Sequence, residues 1–149
     1  MFNYTTYDES KAEFLEIAPA SELPNGERLF VEVESRSLVI FNIADQFFAI
    51  ADICTHDDGP LGDGDLEGYN IVCPRHGAEF DIRTGKVMQM PAVVDVPAYP
   101  VRVVDGMIQV GIPKEWAIQS ALLNAWLINT SSESFFICST IACKKLLLL

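Results

Sequence analysis

Two short motifs place both histidines of the chain close to cysteines. Cys54 and His56 are separated by one residue, Cys73 and His76 by two, and sixteen residues lie between the motifs. Thiolate sulfur and imidazole nitrogen are the protein ligands of zinc and of iron–sulfur centres, so these side chains offer a complete set of four ligands. The residue types therefore predict a metal centre at Cys54, His56, Cys73 and His76.

The spacing within each motif favours iron over a single zinc ion. In an extended segment, residues i and i+2 lie on one face about 6–7 Å apart, which suits a loop whose Cys holds one iron and whose His holds the other. A single zinc ion is more often held by like pairs, such as Cys-x2-Cys with His-x3-5-His. The arrangement points to a [2Fe–2S] cluster in which two His replace two Cys on one iron, with a zinc-only site as the alternative.

The two motifs and their neighbours resemble a known family. Cys-x-His, a gap near this length and Cys-Pro-x-His-Gly look like the Rieske iron–sulfur proteins, and CPRHGAEFDIRTGKV is especially similar to the soluble Rieske ferredoxins of bacterial multicomponent aromatic-ring dioxygenases. The resemblance covers about residues 12–112. It implies an all-β fold, a Rieske-type sandwich or barrel with a small inserted cluster-binding subdomain, and one Rieske-type [2Fe–2S] cluster. It also implies that Pro91 lies in a third loop, which covers the cluster.

Apolar alternation and turn signals predict the strands that would carry the motifs. We expect them at 12–17, 28–33, 37–43, 46–53, 69–72, 78–82 and 100–112. The last segment contains Asp105-Gly106, a two-residue hairpin signal between alternating strands. Short strands with tight turns favour an all-β sandwich or barrel. We predict a Rieske domain at residues 10–112, with its cluster-binding part at about 52–92.

The chain changes character after the last predicted strand. Residues 113–149 form a hydrophobic extension of unknown role, in which 116–128 carries apolar residues at helical spacing and predicts a helix. Cys138 and Cys143 match no second cluster signature; we interpret them as small apolar residues, with a second site or a disulfide as the alternative. No segment offers about 18 uninterrupted apolar residues, so we predict no membrane-spanning helix.

Composition and charge narrow the classes of function. The chain has 10 Lys and Arg against 21 Asp and Glu, a formal net charge of −11. This balance disfavours nucleic acid and anionic membranes and suits docking on positively charged partners. Between the two motifs lie the five acids Asp57, Asp58, Asp63, Asp65 and Glu67, which favour a solvated loop and a docking site equally. Cysteines used as metal ligands and an N-terminus without a secretory signal predict a cytoplasmic protein.

The surroundings of the four ligands indicate a low reduction potential. Hydrogen-bond donors to the sulfurs raise the potential of such a cluster. Rieske subunits of respiratory complexes have a disulfide between the ligand loops and a Ser and a Tyr bonding the cluster. Here Arg75 and Gly59 replace the cysteines of that disulfide. Ala78 and Phe80 stand where the Ser and Tyr would stand, so the resemblance implies the low-potential, ferredoxin-like branch.

No other catalytic apparatus is evident in the sequence. There is no nucleophile–base pair, and both histidines are already used, so a second 2-His-1-carboxylate iron site cannot form. We therefore predict no enzyme but a ferredoxin that carries single electrons from a flavin-dependent reductase to a terminal non-haem iron oxygenase. Two alternatives stay open. One is the small Rieske subunit of another reductase, of the nitrite-reductase type, which the complete ligand set weakens; the other is an interaction or membrane-associated Rieske protein defined by its tail.

Overall fold

A computed structural model of the chain describes residues 11–114, which form three antiparallel sheets. The strands are β1 (Ala12–Pro19), β2 (Arg28–Val33), β3 (Arg36–Ile43), β4 (Gln46–Ala51), β5 (Asp65–Glu67), β6 (Asn70–Val72), β7 (Glu79–Asp81), β8 (Val87–Gln89), β9 (Ala98–Tyr99), β10 (Val101–Val104) and β11 (Met107–Pro113). A 3-10 helix, Ala20–Glu22, follows β1. The prediction of an all-β fold is confirmed.

Two of the sheets form a sandwich. One has the strand order β1-β11-β10, and the other has the order β2-β3-β4-β9. Apolar side chains from both sheets fill the space between them, including Leu38, Ile40, Tyr99, Ile108 and Val110, each no more than 3% exposed. Because alternate residues of a strand point to opposite faces, the other face of each sheet is free for other contacts.

The third sheet, in the order β5-β6-β7-β8, forms a smaller unit together with the two ligand loops. Each of its strands has 3 residues. Its apolar side chains, among them Ile71 and Phe80, pack against Val39 and Phe41 on the second face of β3. β3 is therefore buried on both faces, which accounts for its continuous apolar sequence and makes it the shared wall between the sandwich and the ligand unit.

The hairpin predicted at Asp105-Gly106 is confirmed: it connects Val104 and Met107, which pair across β10 and β11, and both of its residues have positive φ. β4 ends at Ala51, two residues before the predicted end of that strand. The Asp52 N–H still donates to the carbonyl of Ser37 in β3, but the Asp52 carboxylate accepts hydrogen bonds from the N–H groups of Leu61 and Gly62, and the chain turns away from the sheet there.

The hydrophobic extension predicted after residue 112 is described only as far as Lys114. The predicted helix at 116–128 and the two cysteines Cys138 and Cys143 lie outside the described residues. Between residues 11 and 114, the structure contains no helix of the length and hydropathy needed to span a membrane.

Candidate metal centre

The first ligand loop, residues 54–59, turns back on itself directly after β4. The Cys54 N–H donates to the carbonyl of Gly59 at 2.7 Å, and the Cys54 carbonyl accepts from the N–H of Asp58 at 2.8 Å. These bonds fix the loop backbone around Cys54, whose side chain is buried, while His56 two residues later is exposed.

The second ligand loop connects β6 to β7 and likewise has a buried cysteine and an exposed histidine. The Cys73 N–H donates to the carbonyl of Ala78 at 2.8 Å, and the N–H of Gly77 donates to the Cys73 carbonyl at 3.0 Å. Gly77 has φ +72°, a conformation that only glycine adopts without strain and that lets the loop close tightly. Cys73 is 1% exposed, whereas the side chain of His76 is 52% exposed.

The structure brings all four predicted ligands to one end of the molecule. The thiols of Cys54 and Cys73 are within hydrogen-bonding reach of each other. The rings of His56 and His76 lie 4.8 Å apart between centroids, at an interplanar angle of 77°. Two buried thiols therefore lie on the inner side of the site and two exposed imidazoles on the outer side, as a mixed Cys and His ligand set requires.

The pKa of the Cys54 thiol is raised to about 11, first by burial and then by the neighbouring Cys73, while the backbone N–H of His56 opposes the shift. Two adjacent thiolates in a buried position would repel each other, and a bound cationic centre would compensate their charge. Binding of such a centre displaces the thiol protons. The donor set, soft sulfur inside and imidazole nitrogen outside, fits a [2Fe–2S] group of the Rieske type.

Asp57 is a site residue whose role the sequence did not reveal. Its carboxylate lies within 4.8 Å of the ligand atoms of both cysteines and of both histidines. Oδ2 is 3.0 Å from Arg75 Nη1 and 3.1 Å from His76 Nδ1, and Oδ1 accepts the N–H of Gly59. Burial raises the pKa of Asp57, but the hydrogen bonds from Gly59 and Arg75 outweigh this and hold it below its usual value. As a carboxylate, Asp57 links the two ligand loops.

Two residues of the sandwich brace the turn that follows the first ligand loop. The Asp52 carboxylate accepts the N–H groups of Leu61 at 2.9 Å and Gly62 at 2.6 Å. Arg28 Nη1 donates to the carbonyls of Gly62 and Gly64. Sequence reasoning missed this pair because Arg28 lies more than thirty residues from its partners and belongs to another sheet.

The braced turn itself lies against the ligand cysteines. Leu61 is fully buried in the apolar cluster that contains Cys54 and Cys73. A Cβ added at Gly64 would overlap the carbonyl oxygen of Val72, the residue before Cys73, so only glycine fits there. The turn 61–64 therefore packs against both ligand loops on their buried side.

A third loop, which follows β8 and carries Pro91, contacts the first ligand loop, and Gln89 at the end of β8 contacts the second. The Thr55 hydroxyl donates to the carbonyl of Val94, and the Gln89 side-chain amide donates to the carbonyl of Gly77 at 3.4 Å. This position agrees with the expectation that a proline-bearing loop adjoins the site. Ala78 and Phe80 are fully buried. Neither side chain carries a hydroxyl group that could donate a hydrogen bond to the site.

Fold and site together define an iron–sulfur protein with a mixed Cys and His ligand set. Residues 13–100 match the family model of the Rieske [2Fe-2S] domain. The match covers more than half of the chain, and the protein belongs to this family. The expected cofactor, a Rieske-type [2Fe–2S] cluster, is thereby confirmed.

Similar proteins include the ferredoxin components of dioxygenase systems. The ferredoxin component of the naphthalene 1,2-dioxygenase system of Pseudomonas putida is 33% identical over 91 residues, 61% of this chain and 88% of the relative. A solved complex of reduced oxygenase and oxidized ferredoxin in carbazole 1,9a-dioxygenase contains a chain with a TM-score of 0.61 and 34% identity, covering 65% of this chain and 91% of that one. These names agree with the prediction that the chain is an electron-transfer component and no catalyst by itself.

A third similar structure is the putative NADH-dependent nitrite reductase small subunit of Mycobacterium tuberculosis. Its TM-score is 0.59 at 22% identity, over 68% of this chain and 96% of that one. At this level of identity the likeness shows a shared fold and carries no functional argument.

Proposed function

We propose that the chain is a low-potential Rieske ferredoxin that carries single electrons from a flavin-dependent reductase to a terminal non-haem iron oxygenase. The observation that carries this proposal is the polarity of the site: both candidate thiol ligands are buried and both candidate imidazole ligands are exposed at one end of the molecule. That arrangement lets a partner protein approach the outer side of the site while solvent is kept from the inner side.

In this proposal Cys54 and Cys73 would hold the inner iron, and His56 and His76 would hold the outer iron. When bound, a [2Fe–2S] cluster supplies a one-electron redox centre. The chain holds its ligands in place through the Asp57–Arg75 ion pair and the braces from Arg28 and Asp52. Such outer contacts fix ligand orientation, which limits structural change when the charge of the site changes.

A low potential follows from what surrounds the ligands. Ala78 and Phe80 offer no hydroxyl donors to cluster sulfur, and donors of that kind raise the potential. Exposed carboxylates at Asp58, Asp63 and Asp65 further disfavour an added electron, although salt weakens their effect. We expect a potential toward the lower end of the Rieske range, roughly −150 mV.

Reconstitution of electron transfer tests the proposal. The full chain is added to NADH, a flavin-dependent ferredoxin reductase and the terminal oxygenase of a carbazole dioxygenase, and carbazole oxidation is measured. We expect product formation to rise with the concentration of the chain and to stop with Cys73→Ser. Cluster-containing protein that accepts electrons from the reductase but supports no turnover with any terminal oxygenase would contradict the proposed partner.

Size-exclusion chromatography, together with the amount of chain needed for turnover, separates the carrier from a reductase subunit. A carrier binds its partners transiently, so it should elute alone from a sizing column and act at substoichiometric amounts. A small subunit of a nitrite-reductase type enzyme would remain bound to its catalytic chain during purification from the native cell.

A further inference from the structure

Exposed apolar side chains concentrate beside the ligand loops. Of the large apolar residues exposed in the described part of the chain, four lie within residues 88–94, in β8 and the loop that follows it: Met88, Met90, Val93 and Val94. We call these four the apolar face. Met90 and Val93 are 75% and 82% exposed, the highest values among these residues. Single exposed apolar residues are ordinary, but a contiguous group marks an interaction site.

The exposure is built into the fold. Ala92 and Val96 of the same loop are each 1% exposed and anchor it in the core of the ligand unit. The Val94 carbonyl is held by Thr55, and the Val87 N–H donates to Asp95 at 2.9 Å. A loop fixed in this way presents its neighbouring apolar side chains outward instead of burying them.

The apolar face adjoins the exposed imidazoles. Thr55, which holds its C-terminal end, lies between Cys54 and His56, and Gln89 contacts Gly77 directly after His76. A protein seated on the apolar face would therefore lie next to both histidines.

Charge around the face indicates the chemistry of what binds it. The two ligand loops (54–59 and 73–79) and the segment 87–95, which contacts both of them, contain four carboxylates and one cation, Arg75. That cation is already paired with Asp57. Opposite charge favours encounter, and like charge excludes wrong partners.

Resting on the proposed function, we propose that the apolar face is the docking surface for a redox partner whose own surface carries an apolar patch bordered by lysine and arginine. The four apolar side chains supply the contact area that holds the partner. The surrounding carboxylates orient it so that its redox group faces His56 and His76.

Cytochrome c is a suitable probe because it is basic and its haem edge is ringed by lysines. The full chain is reduced beforehand and mixed with oxidised cytochrome c in a stopped-flow instrument, and the second-order rate constant is measured at several salt concentrations. The double substitution Met90→Ser with Val93→Ser removes the most exposed half of the face. The matched control is Val103→Ser with Val104→Ser, exposed valines of β10 in the sandwich.

We expect the double substitution in the apolar face to slow cytochrome c reduction about tenfold, the effect of removing central apolar contacts. The absorption spectrum and midpoint potential should stay unchanged, and the control should react like the unaltered chain. A second pair, Val93→Lys against Val103→Lys, changes net charge equally. Only Val93→Lys should slow the reaction further at low salt, by repulsion of the basic probe.

Three results would overturn the proposal. Equal rates for the apolar-face variants and their controls would show that the surface is not used, with the carrier function intact. A dimer of the unaltered chain that becomes monomeric with Met90→Ser and Val93→Ser would show that the face binds a second copy instead. Purified protein without an iron–sulfur spectrum would remove the proposed function and the docking surface together.

Discussion

The sandwich and the ligand unit are stabilised in different ways. The main strands of the sandwich have six to eight residues, and their apolar faces meet in a continuous core. The strands of the ligand unit have three residues each, too few for their ladders to be stable alone. That unit relies on its own apolar cluster packed against the back of β3, on polar side chains bonded to loop backbone and on the group that the predicted ligands would hold.

The difference shows how a small protein separates stability from function. A sandwich that folds through its own core can support loops that are too short and too polar to fold alone. We therefore expect changes in the ligand unit to affect the cluster far more than the sandwich, and changes in the sandwich to do the reverse.

The largest expected effect is that of Cys73→Ser. Loss of one inner thiolate should abolish the [2Fe–2S] cluster while the sandwich stays folded, because its core does not include the ligand loops. Iron and sulfide analysis measures the cluster content, and far-ultraviolet circular dichroism measures separately whether the sandwich is folded. Cys138→Ser is the matched control and should retain the full cluster. Collapse of the β spectrum in Cys73→Ser would show that the two regions do not fold independently.

A glycine pair tests how tightly the ligand loops are packed. Gly64→Ala places a Cβ against the Val72 carbonyl, and we expect it to destabilise the ligand unit by about 3 kcal/mol. Gly68→Ala has open space and should cost only about 1 kcal/mol, from its positive φ. The rate of iron release to a chelator is the measurement. Similar rates for both variants would mean that the turn can shift without affecting the ligands.

Two arginine substitutions compare the side-chain hydrogen bonds that stabilise the ligand unit with those that stabilise the sandwich. Arg28→Met removes the donor to the carbonyls of Gly62 and Gly64 and should speed cluster loss, at a cost of about 1–3 kcal/mol. The guanidinium carbon of Arg102 lies 3.8 Å from the centroid of the Phe14 ring, and Arg102 Nε donates a hydrogen bond to Gln109 Oε1 within the sandwich. Arg102→Met should lower resistance to urea without changing the rate of cluster loss. Faster cluster loss in Arg102→Met would contradict the separation of the two regions.

The smallest effect concerns pH. Arg83 donates two side-chain hydrogen bonds to Asp81, at 2.8 and 3.0 Å, and holds the pKa of that carboxyl below its usual value, although burial opposes this. A lowered folded-state pKa adds stability that is complete above the unfolded pKa, about 3.9, and is lost as the pH falls through the folded value. Urea unfolding of the unaltered chain and Asp81→Asn should differ by about 1–2 kcal/mol near neutrality, less in acid. A difference that grows in acid would reverse the assigned sign.

Much of the sandwich and the ligand positions could be predicted from the sequence. The strand at 28–33 and the hairpin at Asp105-Gly106 were predicted with the observed bounds, because alternation and turn chemistry are local. The four ligands lie together as their spacing predicts. That these four bind the cluster remains a prediction.

The parts that could not be predicted depend on tertiary contacts. β5 and β8 have three residues and β9 has two, too short for a pattern of their own. Arg28 and Asp52 become braces only once the sheets have brought them to the turn at 61–64. Asp57 was noted only as one acid among five, and its place between the ligand loops needed the folded chain.

The central claim is that both histidines and both cysteines bind one cluster, and nitrogen hyperfine spectroscopy tests it directly. The chain has two histidines, so labelling with ¹⁵N-histidine marks no other site. Pulsed electron paramagnetic resonance of the reduced protein should show couplings from two histidine nitrogens bound to iron. His76→Cys should leave one of them and lower the potential, since it adds negative charge to the cluster. Iron without histidine coupling, or zinc without sulfide, would contradict the account.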